Sequence, residues 1–372
     1  MDDPPSVVAF TDTYHPTVNG VTYTVAAWRD RWTARGGRMD VVYPGVDGYD
    51  PAPGEHPVPS LPFPYYDGFR LGLPRLPRAV RRLDVDVVHA HTPFALGLDA
   101  LRLARKRDAA VVANYHTPTG EYADYLTDRE WAEDAIAGVS ERYERWFFGR
   151  ADAVVAPSEA TRRHLESVVP SARIEVVPNG IDLDRFRPVD PTDFRERHGL
   201  DGDRPLIGYT GRHGYEKRLS DLVDAGARLD ATVVFGGDGP ARDDLEARAR
   251  ATGADARFLG FLDRDALPAF YSALDAFVFP SPVETQGLVA LEAMACGTPV
   301  VGADEGALAD TVDEGETGYR YETGDVAALV DAVRRTLDER GRLSEACLAR
   351  REETGVDRAV DRLAAVYRSL ES

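Results

Sequence analysis

Phe279-Pro280-Ser281-Pro282-Val283-Glu284-Thr285-Gln286-Gly287-Leu288-Val289-Ala290-Leu291-Glu292-Ala293-Met294-Ala295-Cys296-Gly297-Thr298-Pro299-Val300-Val301 reads as strand, loop, helix, turn and strand. The apolar run Ala276–Phe279 is rich in β-formers and is stopped by two prolines. A helix is predicted to begin near Gly287 and to end at Gly297, with Pro299 completing the usual C-terminal punctuation. The next strand opens over Thr298–Val301. A helix N-terminus offers unpaired amides and partial positive charge, so the amides of Thr285, Gln286, Gly287 and Leu288 suit a diphosphate. Glu284, at the strand end, is placed to accept hydrogen bonds from a hydroxyl-rich group beside that phosphate. If helical pitch held throughout, Glu292 would lie about 80° round from residue 284, within reach of a second polyol such as a ribose. Two glutamates around an α/β crossover also read as an ordinary loop and surface pair, and the rest of the string decides between the readings.

The whole string resembles the signature of the retaining nucleotide-sugar glycosyltransferases of family four. Their paired glutamates, with seven residues between, are followed by an Ala-Met-Ala-x-Gly-x-Pro-Val run, here Ala293 to Val300. The resemblance implies an α/β protein of the GT-B fold: two Rossmann-like doubly wound domains, a C-terminal crossover helix, and the donor in the interdomain cleft. On this chain the N-terminal, acceptor-binding domain is expected over residues 1–184, with 356–372 packing back on it. The nucleotide-sugar domain is expected over 185–355.

Size and composition agree with two globular domains: 372 residues, 43% of them hydrophobic, are enough for two cores. No apolar run approaches the roughly 20 residues that span a bilayer. The start, Met1-Asp2-Asp3-Pro4-Pro5, is acidic and leads into a strand, so no signal peptide is expected. Cys296 and Cys347 are too few for a disulfide framework and read as buried small residues in a reducing cytoplasm. The net charge is −19, and among 44 basic residues only Lys106 and Lys217 are lysines. Such acidity speaks to solubility rather than fold. It resembles the cytosolic proteins of salt-accumulating halophiles and makes nucleic acid a poor partner.

In the N-terminal half, Ser6–Phe10 is a buried strand, followed by the loop Asp12–Gly20 and a helix predicted over Thr22–Arg35. Strand, glycine-bearing loop and helix suit a ligand at the strand's carboxyl end, but there is no G-x-G-x-x-G, which disfavours a dinucleotide-binding dehydrogenase. The resemblance puts Asn19 and Gly20 against the donor diphosphate; by themselves they also read as a turn. Strands follow at Met39–Tyr43 and Val85–His91, with an irregular Pro-rich segment between, from Pro51 to Pro64. Asp84-Val85-Asp86 has the form of a metal-binding D-x-D, but Asp86 falls in the strand alternation, and the resemblance implies no metal and no cofactor beyond the donor. Phe69–Leu83 and Arg102–Arg107 are strongly basic. Basic amphipathic stretches read as contacts for anionic membrane surfaces, and equally as solvated helix faces. Lipid-directed members of the family commonly carry such patches, which favours a membrane acceptor and possible peripheral contact through Arg70–Arg82 and Arg102–Arg107. The strand Val111–Asn114 leads to Tyr115-His116-Thr117, where the resemblance puts His116 at the reacting sugar, near its C6 hydroxyl. Glu121-Tyr122-Ala123-Asp124-Tyr125 is similar to a tyrosine-rich segment of lipid-directed members. Ala153–Ala156 is a further strand, and Ser158 caps the helix after it.

Ile174–Asp182 is a strand ending in the Pro178-Asn179-Gly180 turn that the family has between its domains. A second series of alternating strands and helices follows the linker Arg185–Pro205, implying a second parallel sheet. Its first strand, Leu206–Thr210, runs into Gly211-Arg212-His213-Gly214-Tyr215-Glu216-Lys217-Arg218. Glycine permits close backbone approach, and Arg212 and Lys217 supply positive charge for a diphosphate leaving group. Ala231–Phe235 is a strand leading to Gly236-Gly237, which lies beside the nucleobase in relatives. After the strand at Arg257–Gly260, backbone groups of Phe261 and Leu262 are expected at the base edge. Glu305-Gly306-Ala307 follows the strand after the signature helix, and a last helix is predicted near Val356–Ser369.

The implied reaction is transfer of a hexose with retention, from a nucleotide diphosphate sugar to an acceptor hydroxyl of a lipid or glycan. Arg212, Lys217 and the amides near Gly287 would stabilise the leaving group, Glu284 would orient the sugar, Glu292 would hold the ribose and His116 would steady the reacting face. A donor phosphate oxygen would take the acceptor's proton. The competing readings are a nucleotide-sugar epimerase of the same fold and a non-catalytic nucleotide-sugar-binding protein. The long signature argues against the first, and intact Arg212, Lys217, Glu284 and Glu292 against the second.

Overall fold

Continuous apolar runs, rather than alternating ones, build the sheets: Val7 to Phe10, Val41 to Tyr43 and Val233 to Phe235 are all buried, as strands covered on both faces require. The computed structural model describes residues 4–62, 70–116, 130–200 and 202–370, with backbone alone over 130–137. The chain divides into two compact units, Met1–Gly180 with Val356–Ser372, and Ile181–Gly355.

The first unit holds β1 (Ser6–Phe10), β2 (Arg38–Pro44), β3 (Glu55–Val58), β4 (Ser60–Pro62), β5 (Arg70–Gly72), β6 (Val87–Ala90), β7 (Ala110–Asn114), β8 (Ala153–Ala156) and β9 (Ile174–Val176). Seven of these form one parallel sheet in the order β3-β2-β1-β6-β7-β8-β9, while β4 and β5 make a separate antiparallel pair. In register, Val8 faces Asp40 of β2 and Val88 of β6. The strand period of two sends alternate residues to opposite faces. Val8, Phe10, Val42 and Val88 join Leu96, Leu103, Phe147 and Leu165. Val7, Ala9 and Val41 join Val25, Trp28 and Trp32 of the helix Gly20–Ala34, and Val360, Leu363 and Tyr367 of the last helix, Val356–Arg368.

The second unit holds β10 (Leu206–Thr210), β11 (Thr232–Gly236), β12 (Ala256–Gly260), β13 (Ala276–Phe279), β14 (Val300–Ala303) and β15 (Gly318–Tyr321). They form a parallel sheet in the order β12-β11-β10-β13-β14-β15 around a core of its own. Cys296 and Cys347 are buried thiols here, both pushed up to about 12 chiefly by burial. No helix among the described residues is long and apolar enough to cross a membrane.

Three expectations need correction. The Pro-rich segment Pro51–Pro64 is not irregular throughout: its described part contains β3 and β4. Pro57 fits because β3 is an edge strand, where a missing N–H breaks no ladder. The basic run from Arg70 to Arg82 is no amphipathic helix but β5, an extended turn and a single 3-10 turn, Val80–Arg82; Phe69 lies outside the described residues. Arg102–Arg107 does end a helix, Ala95–Arg107, whose buried face carries Leu96, Ala100, Leu103 and Ala104. Basic side chains in a last turn also complement the helix dipole. The signature helix is Leu288–Ala295: it starts as expected, with Gly287 its left-handed N-cap at φ 75°, but its last helical residue is Ala295, two before Gly297.

Candidate active site

The loops after β10, β11 and β13 meet at the carboxyl end of the second sheet, where open parallel sheets take ligands. After β10, Gly211 (φ 141°) opens a loop that runs through Arg212 and His213 into a 3-10 turn, Tyr215–Lys217. This loop is zipped to the one after β11: His213 N donates to Asp238 O at 2.8 Å, and Ala241 N to His213 O at 2.9 Å. Gly237, at φ 103°, packs so tightly that a Cβ there would sit 2.0 Å from Gly211 O. The fixed loop presents its charges in pairs. Lys217 Nζ is 2.8 Å from Glu284 Oε1, and Arg212 Nη2 is 2.5 Å from Glu216 Oε1, with Glu216 also 3.9 Å from Lys217. Two cations and two carboxylates therefore share one half-buried patch.

Above that patch the helix Leu288–Ala295 starts without a side-chain cap. Its first amides, on Gly287 and Leu288, take no backbone partner among the described residues. The loop before it is held by its neighbours: Ala307 N donates to Glu284 O (3.3 Å) and Thr311 Oγ1 to Gln286 O (3.0 Å). Glu292 is a turn further on and buried. Tyr271 Oη donates to its Oε2 at 2.8 Å, and Arg264 lies 4.0 Å from Oε1. Burial raises the Glu292 carboxyl to about 7, against the opposing pull of Arg264 and Tyr271.

The first unit gathers a second cluster at its own carboxyl edge. His91 follows β6 and His116 follows β7, with His91 Nδ1 3.0 Å from His116 Nε2 and the rings nearly parallel, 5.3 Å between centroids. His89 stacks on His91 at 4.1 Å. Burial lowers His89 and His116 to about 3 and puts His91 well below its ordinary value. Asp12, after β1, is buried and raised to about 6; Thr92 Oγ1 donates to it at 2.6 Å. Asn19 caps the helix Gly20–Ala34, its Oδ1 accepting from Thr22 N at 2.9 Å and its Nδ2 donating to Thr13 Oγ1 at 2.7 Å.

Comparison with known proteins decides what this edge chemistry belongs to. Residues 18–185 match the family described as Glycosyltransferase Family 4, and residues 190–353 match Glycosyl transferases group 1. A GDP-mannose-dependent alpha-mannosyltransferase of Mycolicibacterium smegmatis is 32% identical over 348 residues, 90% of each chain. This chain is a family 4 glycosyltransferase. The Arabidopsis thaliana sulfoquinovosyl transferase SQD2 is 34% identical over 79% of the glycosyltransferase, which spans 59% of that relative. An alpha-monoglucosyldiacylglycerol synthase of Streptococcus pneumoniae is 27% identical, over 88% of the present chain and 78% of its own. Among solved structures, sucrose-phosphate synthase from Thermosynechococcus elongatus superposes with a TM-score of 0.80 at 22% identity, over 98% and 99% of the two chains. That likeness supports the GT-B fold.

Of the residues singled out from sequence, the glycosyltransferase brings Arg212, Lys217, Gly237, Glu284, Thr285, Gly287 and Leu288 to one edge of the second sheet. Gly260, linked by its carbonyl to Gly237 N at 2.7 Å, leads to Phe261 and Leu262 beside them. Phe261 is 66% exposed and Leu262 packs on the core. His116, Asn19 and Gly20 lie in the other unit. The helical-pitch argument for Glu292 does not hold: Gly287 breaks the helix before residue 284, and Glu292 points into a buried contact with Tyr271. Asp86 is structural, its Oδ2 accepting from Ser6 N at 2.7 Å. Glu121-Tyr122-Ala123-Asp124-Tyr125 and Thr117 lie outside the described residues. Sequence reasoning missed Glu216, Tyr271, Arg264, Asp12, His89 and His91. Glu216 sits next to Lys217, and His89-Ala90-His91 puts two imidazoles at a strand end, so both had a signal; Tyr271, 21 positions before Glu292, had none.

Proposed function

We propose that this enzyme transfers a hexose, with retention, from a nucleotide diphosphate sugar to a hydroxyl of a membrane lipid or polyprenyl-linked glycan. The observation that carries the reading is the Lys217–Glu284 pair beside Arg212–Glu216, below the uncapped start of the helix Leu288–Ala295. A diphosphate draws Lys217 and Arg212 off their carboxylates and takes the amides of Gly287 and Leu288, with Thr285 beside them. Glu284, released, accepts from the sugar's hydroxyls. Positive groups preorganised where charge develops on the departing diphosphate are usually the largest catalytic contribution. Glu292, raised to about 7 by burial and held by the Tyr271 hydroxyl, takes the ribose. Gly237 and the backbone of Phe261 and Leu262 border the base, Asn19 and Gly20 the diphosphate, and the His116 cluster the reacting face of the sugar. A donor phosphate oxygen takes the acceptor's proton, so no metal or further cofactor is required.

A lipid acceptor is favoured by the monoglucosyldiacylglycerol synthase among the relatives and by the exposed basic residues Arg75, Arg78, Arg81, Arg82, Arg102, Arg105, Lys106 and Arg107. In an acidic cytoplasmic protein these give a local positive surface for peripheral contact with an anionic leaflet. The test is nucleoside diphosphate release in molar KCl across UDP-, GDP- and ADP-sugars, with and without membrane lipid extract. Release that needs lipid is expected. Release indifferent to lipid moves the acceptor into solution, and no release with any donor overturns the transfer reading.

A further inference from the structure

The antiparallel pair β4–β5 has one side packed and one side bare. Its register sets Ser60 opposite Gly72, Leu61 opposite Leu71 and Pro62 opposite Arg70. Because side chains alternate along a strand, Ser60 and Gly72 face one side and the Leu61–Leu71 pair the other. The first side rests on the unit. A Cβ at Gly72 would sit 3.0 Å from the Leu96 side chain of the helix Ala95–Arg107, and Ser60 Oγ donates to Gly45 O at 2.6 Å. Arg70 Nε donates to Ser60 Oγ at 2.7 Å, so this arginine ties the pair together. The other side is apolar and lies in solvent. Leu61 is 57% exposed and Leu71 37%. Leu73, 40% exposed, still donates its N–H to Pro59 O at 2.7 Å and carries the same side on past β5. Single exposed leucines are ordinary, but three along one side of a two-stranded ribbon form a patch, and such patches mark interaction sites.

What covers that side follows from the charge around it. From Leu73 the chain runs directly into the exposed Arg75, Arg78, Arg81 and Arg82. Arg107 Nη2 donates to Arg81 O, so the last turn of the helix Ala95–Arg107, where Arg105 is also exposed, joins the same surface. In a chain of net charge −19 this is a local reversal of sign beside an apolar ridge. An anionic bilayer answers both features, with headgroups for the arginines and acyl chains for the leucines.

We infer that the outer side of β4–β5 enters the boundary between headgroups and acyl chains of an anionic leaflet, and is the part of the membrane contact that salt does not remove. The arginines attract over a range that shrinks to about 3 Å at 1 M salt. Burial of leucine is not screened. Charge brings the protein to the surface, and Leu61, Leu71 and Leu73 hold it there in concentrated salt. The inference rests on the membrane contact read above and not on sugar transfer.

The test is partition of the full chain onto vesicles of phosphatidylglycerol and phosphatidylcholine at 0.1 M and 1 M KCl. The native chain is expected to bind at both. Leu61→Ser combined with Leu71→Ser should lose about tenfold or more in partition at 1 M KCl, and less at 0.1 M, where charge still acts. Arg75→Gln combined with Arg78→Gln should lose about tenfold at 0.1 M and stay within about threefold of native at 1 M. Depth is read separately. Both native cysteines are buried, so Leu71→Cys can carry an environment-sensitive fluorophore alone. Its emission should shift to the blue on vesicles and be quenched by lipid brominated in the acyl chain. The same label on Thr33→Cys, exposed on the helix Gly20–Ala34 of the sheet's opposite face, should show neither. Native binding lost at 1 M KCl, or a leucine variant that binds there as the native chain does, overturns the inference and leaves the arginine contact standing. No binding at either salt overturns both. A dimer in solution that the leucine substitutions split would give the face to a second copy, and overturns it equally. Vesicle binding with these dependences but no turnover of any sugar nucleotide would strike the transfer reading and leave the inserted face in place.

Discussion

Lys217 and Glu284 stand 67 positions apart in the chain and 2.8 Å apart in space, each on a loop that leaves the same sheet. With one other lysine in 372 residues, this ammonium is a specific placement rather than surface filling. If it stabilises the leaving diphosphate, Lys217→Ala should lower kcat by about 10²–10³-fold at saturating donor, as loss of one preorganised donor does elsewhere. Unchanged turnover there would refute the role. Glu292 carries a second prediction, with a sign fixed by its environment. Its folded carboxyl is raised from 4.5 to about 7, so between those values the native state holds a proton that the unfolded chain has released. Stability from this group is therefore present below pH 4.5 and lost as pH rises through about 7, by up to about 3 kcal/mol in all. Glu292→Gln should flatten that part of the stability profile, and denaturant unfolding at pH 5 and pH 8 reads it. An unaltered profile would mean that the carboxyl is not held protonated.

At the scale of elements, glycines at forced backbone positions fix the loops that carry the site. Gly237 lies at φ 103° with Gly211 O 2.0 Å from any added Cβ, a clash with backbone that no rotamer relieves. Gly237→Ala should destabilise the second unit by about 3 kcal/mol or more, read from its unfolding midpoint. Asn19→Ala should cost about 1 kcal/mol through the lost cap of the helix Gly20–Ala34. If Asn19→Asp restores stability and leaves activity low, the side chain also serves the diphosphate. Such positions also show what a sequence discloses. Ser6–Phe10, Leu206–Thr210 and Ala276–Phe279 were legible to the residue because fully buried parallel strands are continuous apolar runs. β3 was not, since Pro57 and Glu55 disguise it: one is tolerated at an edge, and the other is neutralised by Arg29 at 2.7 Å. The Arg212, Lys217 and Glu284 grouping was legible through motif spacing. Tyr271 and Arg264 around Glu292 were not, because only the packing of the helix Leu267–Ala273 and of the turn before it brings them there.

The whole molecule is governed by its charge, 44 basic against 63 acidic residues. Much of the arginine is spent on exposed pairs, such as Arg204–Asp230 and Arg248–Asp224, each worth little in water. Salt acts on the two populations in opposite senses. It weakens the pairs, and it screens the mutual repulsion of the unpaired excess, whose range shrinks from about 10 Å at 0.1 M to about 3 Å at 1 M. Exposed pairs contribute at most about 1 kcal/mol each, whereas a net charge of −19 is repelled collectively across the surface. Screening of the excess should win, so the unfolding temperature is expected to rise between 0.1 and 1 M KCl, and to rise equally in NaCl. A lower midpoint in molar salt would show that the pairs dominate and that the acidic surface is no adaptation to it. The buried imidazoles add an acid limit independent of salt. His89 and His116 are held near 3 and His91 well below its ordinary value, so the unfolded chain takes up protons below about 6.5 that the folded one refuses. Their contribution is full above that pH and is lost on acidification, by up to about 1.4 kcal/mol per histidine for each pH unit. Unfolding of the first unit followed from pH 7 to pH 5 in molar KCl should therefore show a falling midpoint that salt does not rescue. A flat profile would mean that these rings are solvated and charged.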